Sequence, residues 1–270
     1  MRYTPLQLAE AFITTGELDD ALTAINEHLD ETPDDDDARR MRVGILLRLA
    51  DATHWQMALA DIACLTTLTP DDYVLWMRIL DAQGDDGALE VARQMYVAHP
   101  NDERAAEIFV ERLVAAAAYS EAETVLNAMP EDWRWLQRRG DLAALQDRHD
   151  DAVTYYSRAL VLLETAFAQT TVGFAANFKA NLLIKRAHAN RHLGQLDEAE
   201  ADYAAAEKLL PGDVMIAFNR GLLAALRGDL PHATELCRDA FNRANDTLRA
   251  MMRDELDDDA RFETLANALV

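Results

Sequence analysis

His188 and His192 stand four residues apart, the spacing at which two imidazoles on one helix face can share a metal ion. No third ligand keeps step with them, and the HExxH pattern is absent. The chain also lacks a GxGxxG turn, a P-loop, a GxSxG elbow and a CxxC pair. Paired acids are plentiful: Asp19 with Asp20, Asp85 with Asp86, Asp150 with Asp151, and Asp197 with Glu198. All of them fall where helices are expected to begin. There a carboxylate caps free N–H groups, stays in water and is not tuned for proton transfer. The expectation is a chain that is no enzyme and holds no cofactor and no metal, with a metal-dependent enzyme as the weakest alternative.

The distribution of charge is more informative. The sequence has 48 acidic against 26 basic residues, a formal charge of -22, which sets it against phosphate backbones and nucleic acid. Yet residues 165–196 contain no Asp or Glu, while they hold Lys179, Lys185, Arg186, His188, Arg191 and His192. Within 174–193, Asn181, Lys185, His188 and His192 recur at three or four. They form a polar stripe beside one of Leu183, Ala187 and Asn190, with Arg191 at its border. Such a stripe is either a binding face or a solvated face whose cations balance acidic neighbours. The tetrad Asp34, Asp35, Asp36 and Asp37 likewise exceeds what one helix cap needs and reads first as a solvated loop.

The elements that carry these residues repeat. Residues 180–213 and 214–247 overlay with Gly194 on Gly228, Leu196 on Leu230, Ala199 on Ala233 and Ala206 on Ala240, a period of 34. The second-helix alanine can be traced backwards as Ala21, Ala58, Ala88, Ala122 and Ala152. A proline follows twelve residues later at Pro33, Pro70, Pro100 and Pro211, and eight later at Pro130. Proline recurring in phase marks repeated helix ends. The pattern resembles the tetratricopeptide repeat, a helix-turn-helix unit with a small residue in its first helix (Ala187 or Gly221), Gly at the turn and alanines in its second helix. Asn245 stands where the second copy would have its exit proline. The resemblance implies an all-α fold, a right-handed α-solenoid of about seven repeats at 2–36, 38–72, 73–101, 102–132, 133–179, 180–213 and 214–247. An amphipathic cap at 248–270 would close a single domain 1–270.

Individual units depart from the pattern. In the second, ADATHW replaces the turn glycine; in the third, the first helix, starting at Tyr73, looks short by a turn; in the fourth, the second helix is clipped at Met129 and Pro130. Between Ala152 and Ala199 lie 47 residues, which predicts longer helices over 153–168 and 174–193 on either side of a break around 171–173. Cys64 and Cys237 sit among apolar residues and read as buried thiols of a reducing compartment; Trp55, Trp76, Trp133 and Trp135 read as packing. No apolar run is long enough to span a membrane, and the first residues read as an amphipathic helix rather than a signal peptide, so a cytoplasmic protein is expected.

In the family resembled, first helices line a concave groove. Alignment then extends the stripe to Arg134 and Arg138 in the fifth unit and to Phe218, Asn219 and Leu222 in the seventh. Together with Asn181, Lys185, His188 and Arg191 they form a candidate cationic groove for a peptide bearing acidic or carboxylate groups, with Phe218 and Leu222 as apolar contacts. The function implied is a non-enzymatic protein-binding adaptor or scaffold without nucleic-acid or membrane partners. A secretion-type chaperone for a basic client and a self-assembling homo-oligomer are the alternatives.

Overall fold

The computed structural model describes residues 3–167 and 172–269, and among these it contains helices and turns but no strand. In chain order the helices are α1 (Pro5–Thr15), α2 (Leu18–Glu31), α3 (Asp36–Leu49), α4 (Ala52–Ala63), α5 (Pro70–Gln83), α6 (Ala88–Ala98), α7 (Glu103–Ala115) and α8 (Tyr119–Ala128). There follow α9 (Trp133–Leu145), α10 (His149–Ala166), α11 (Val172–His192), α12 (Leu196–Leu209), α13 (Val214–Leu226), α14 (Leu230–Arg243) and α15 (Asp246–Asp258). A 3₁₀ turn at Ala260–Phe262 leads into α16 (Glu263–Leu269).

Seven odd-to-even helix turns, from α1–α2 to α13–α14, share one backbone signature. Gly16, Ala50, Gly84, Ala117, Asp147, Gly194 and Gly228 all have φ between 54° and 85°, the left-handed conformation that ends a helix and lets the next one fold back. Glycine adopts it freely, and Ala50, Ala117 and Asp147 adopt it at a steric cost because packing on both sides demands the turn. The second unit therefore makes the same turn without its glycine: Ala50 ends α3, and Asp51 accepts the His54 N–H to start α4.

Helix starts explain much of the acidity. Asp35, Asp51, Asp102, Asp132, Asp213 and Asp229 each accept a backbone N–H from the first turn that follows, an interaction worth roughly 1 kcal/mol per cap. Three of the aspartate tetrad have structural partners. Asp35 caps α3 and pairs with His28 at 2.8 Å, Asp36 accepts the Thr66 N–H, and Asp37 pairs with Arg40. Asn245 caps α15 at the place where proline was expected, accepting the Leu248 N–H at 2.9 Å.

The third unit corrects the sequence reading. Its first helix is not short: α5 begins at Pro70, three residues before Tyr73, because proline fits the first helical position and Thr69 and Asp72 form a reciprocal capping box ahead of it. Pro70 thus opens a helix instead of ending one. α8 is short, as its clipped sequence predicts, and α10 and α11 are long. The expected break around 171–173 lies partly outside the described residues, and Val172 already begins α11.

The chain divides into two compact units, 1–122 and 123–270. In the first, each helix from α1 to α7 packs on a sequence neighbour, over a core that includes Ala9, Ala21, Ile25, Leu46, Ala58 and Ile79. In the second, α9 to α14 do the same, and α16 packs on α14 and α15. All seven second-helix alanines, Ala21, Ala58, Ala88, Ala122, Ala152, Ala199 and Ala233, are buried. Buried carboxylates clamp neighbouring helices through guanidinium pairs: Asp61 holds Arg42 and Arg39, Asp72 holds Arg40, and Asp202 holds Arg186. Cys237 is buried as expected; Cys64 is instead exposed, because it is the residue that terminates α4. No described helix is long and apolar enough to cross a membrane.

Candidate functional site

α9, α10 and α11 enclose an open cleft of about 440 Å³ in the second unit. α9 contributes Asp141, Ala144 and Leu145, α10 His149 and Tyr156, and α11 Lys185, His188, Ala189 and His192. α9 and α10 approach closely because Gly140 has no side chain where the Tyr156 ring crosses α9; a Cβ there would lie 2.5 Å from Tyr156 Cε1. Asp141 is the hub. Its Oδ1 accepts from the Tyr156 hydroxyl at 2.8 Å and from Lys185 Nζ at 2.7 Å. Burial, with the Asp141 charge beside it, pushes the Tyr156 phenol well above its ordinary range, so it stays a neutral donor.

The imidazoles form the other wall. His149 and His192 stack with centroids 4.4 Å apart and planes 14° off parallel, and His188 meets the Tyr203 ring edge-on at 5.9 Å. Burial and the nearby Arg191 charge lower His188 to about 4, and burial with Arg191 and His149 also lowers His192. At neutral pH His188 and His192 are therefore uncharged, and the aromatic wall is bordered by one ammonium–carboxylate pair. Leu145, 54% exposed, supplies apolar surface at the rim. Among the described residues no group of three His, Cys, Asp or Glu is placed to hold a metal.

The structure distributes the sequence-derived groove residues unevenly. Lys185 and His188 line the cleft, and Asn181 lies exposed on the same helix. Arg134 pairs with Asp132 at 2.9 Å, and the Arg138 guanidinium lies 5.9 Å from the Trp135 ring. Four residues are not open surface: Arg191 is 1% exposed, and Phe218, Asn219 and Leu222 are buried in α13. Phe218 and Leu222 pack with Met252, Leu256 and Phe262, so segment 246–269 covers them; Asn219 turns its amide onto the Met215 carbonyl at 2.8 Å. Nor is the floor a bare cationic surface. Lys179 pairs with Glu164, Lys185 with Asp141, Arg186 with Asp202 and Arg191 with Glu255, each acid coming from another helix. Asp141, His149 and Tyr156 were missed. Asp141 continues the Arg134 and Arg138 face at helical spacing, a signal present in the sequence, whereas His149 and Tyr156 reach the cleft only through the packing of α10.

The tetratricopeptide-repeat family model matches residues 103–168 and 184–247. These two stretches are tetratricopeptide repeats. No curated protein matches the sequence of the chain. The fold of these repeats recurs in a tetratricopeptide repeat protein from Parabacteroides merdae, at 12% identity over 98% of this chain and 97% of that one, with a TM-score of 0.56. It recurs also in the C-terminal part of a TPR repeat-containing protein from Cytophaga hutchinsonii, at 13% identity over 97% and 98% of the two chains, with a TM-score of 0.55. A chain of the APC/C hetero-tetramer Cut9–Hcn1 aligns at 14% identity with a TM-score of 0.54; the match covers 99% of this chain but 49% of that longer one. Tetratricopeptide repeats generally mediate protein–protein interaction without catalysing a reaction.

Proposed function

We propose that this protein is a non-enzymatic scaffold that receives a peptide segment of a partner protein in the cleft of α9, α10 and α11. The observation that carries the reading is the cleft itself: an open concavity combining an exposed leucine, a stacked imidazole wall and a single exchangeable ion pair. Peptide grooves work by such a mixture, in which an apolar anchor supplies affinity and one charged pair sets register. A carboxylate on the partner would compete with Asp141 for Lys185, while Tyr156 would continue to hold Asp141 in place. The remaining surface, strongly acidic, disfavours nucleic acid and contributes long-range steering towards less acidic partners. Free Cys64 and Cys237 accord with a cytoplasmic setting.

A random peptide display against the full chain tests this. Selected peptides should bind the Leu145→Asp and Lys185→Glu variants about tenfold or more weakly while circular dichroism stays unchanged. Peptides held equally by wild type and both variants would place the interaction elsewhere.

A further inference from the structure

Arg191 is the most deeply buried cation of α11, and its ion-pair partner lies 64 residues away, at Glu255 of α15. Only its Nη2 is engaged; Nε and Nη1 have no hydrogen-bond partner in the protein, nor do His188 Nε2 and Tyr203 Oη in the same region. The Arg191 guanidinium also lies 5.5 Å from the Phe262 ring, which the Arg261 guanidinium approaches from 5.8 Å. Phe262 is fully buried against the α13 face that carries Phe218 and Leu222. Segment 246–269 therefore engages the α11 and α13 face as a ligand would, through one carboxylate and, seven residues on, one aromatic anchor. A buried guanidinium carries five donors, and a single carboxylate contact leaves most of them unanswered.

We propose that the α11 and α13 face is a second interaction surface, specific for a short segment that presents a carboxylate near the end of a helix and an aromatic ring seven residues later, past the helix end. Residues 246–269 are its occupant in cis and give way to the same chemistry on a partner protein. Three observations on the segment support exchange. It ends in a 3₁₀ turn and a seven-residue helix, elements with little stability of their own. Asp254, Asp257 and Asp258 are exposed, so its ionic hold on the face rests on Glu255. The face it covers includes Arg191, Phe218 and Leu222, three of the residues that the sequence assigns to the groove. This surface shares α11 with the cleft of α9 to α11 but rests on Arg191, Phe218 and Leu222, none of which lines that cleft, and the inference stands or falls without it.

The probe is a fluorescent peptide of residues 246–269, titrated into the full chain and into Glu255→Gln and Phe262→Ala variants of the full chain. The peptide should bind the wild type weakly and each variant about tenfold or more tightly, because it restores in trans what the altered segment lacks. A peptide carrying both substitutions should lose that gain. Equal binding to all three chains, or none, overturns the proposal. Hydrogen exchange on the wild type guards against a variant that misfolds: amides of 246–269 should exchange at least about tenfold faster than those of α13, and equal protection marks the segment as a fixed cap. A dimer that grows with concentration without peptide would assign the face to a second copy and overturn the reading of a foreign partner.

Discussion

Gly140 and Gly221 show how single residues set the spacing of these repeats. A Cβ on Gly140 would stand 2.5 Å from the Tyr156 ring, and one on Gly221 would stand 2.5 Å from Cys237 Sγ. The Tyr156 ring is not free to retreat, because its hydroxyl is held by Asp141. Gly140→Ala is expected to destabilise the protein by roughly 1–3 kcal/mol through overpacking, visible as a lower urea midpoint; an unchanged midpoint would mean that α9 and α10 can slide apart. Gly221 was legible in the repeat alignment as the small residue of a first helix. Gly140 was not singled out, because its unit lacks the period that makes the others align.

Among the helices, the seven left-handed turns do the organising, and they differ in what they cost. Ala50 has φ 54° where Gly194 has φ 74°. Ala50→Gly should raise stability by up to about 1 kcal/mol by relieving strain, less the entropy that glycine adds to the unfolded chain. Gly194→Ala should lower it by about 1 kcal/mol; nothing lies within 4 Å of a Cβ built there, so any loss reports backbone strain rather than a clash. Thermal melts of the pair check the sign of both. A loss on Ala50→Gly together with a gain on Gly194→Ala would show that the turn is not the element that closes the hairpin. The seven hairpins were legible because alanine, turn and proline recur in phase. Helix starts were less so: Pro70 looked like an exit and proved to be an entrance, since proline is equally suited to either side of a helix boundary.

For the second unit as a whole, the buried polar group around Arg191 predicts acid sensitivity. His188 titrates near 4 when folded, because burial and Arg191 oppose its charge, and near 6.5 when unfolded. Between those values the unfolded chain binds the extra proton, so stability falls as pH falls through this window, by roughly 1–2 kcal/mol between pH 6.5 and pH 5. Burial raises Glu255, but the charge and hydrogen bond of Arg191 outweigh it and leave its carboxyl below the ordinary range, so that its contribution is lost at still lower pH. Lys185 and His192 also bear on His188 and oppose its protonation. Relief of the -22 charge acts in the other direction on every variant alike. The difference between wild type and His188→Gln in urea denaturation should therefore shrink on acidification. A constant difference from pH 7 to pH 5 would mean that the imidazole is solvated.

The sequence by itself determined the helical class, the repeated hairpin and the alanines that pack between its helices, because these follow from local periodicity and from how closely two helices can approach. It also placed Lys185 and His188 on the face that lines the cleft. Only the tertiary structure decided that the four cations of residues 165–196 are paired, that His149 and Tyr156 complete the cleft, and that Arg191, Phe218, Asn219 and Leu222 are buried. Helix periodicity tells which residues share a face, but not what lies against it. Here Glu255 and Phe262, from 64 and 44 residues further along the chain than Arg191 and Phe218, cover part of the face that local reading left to solvent or a partner.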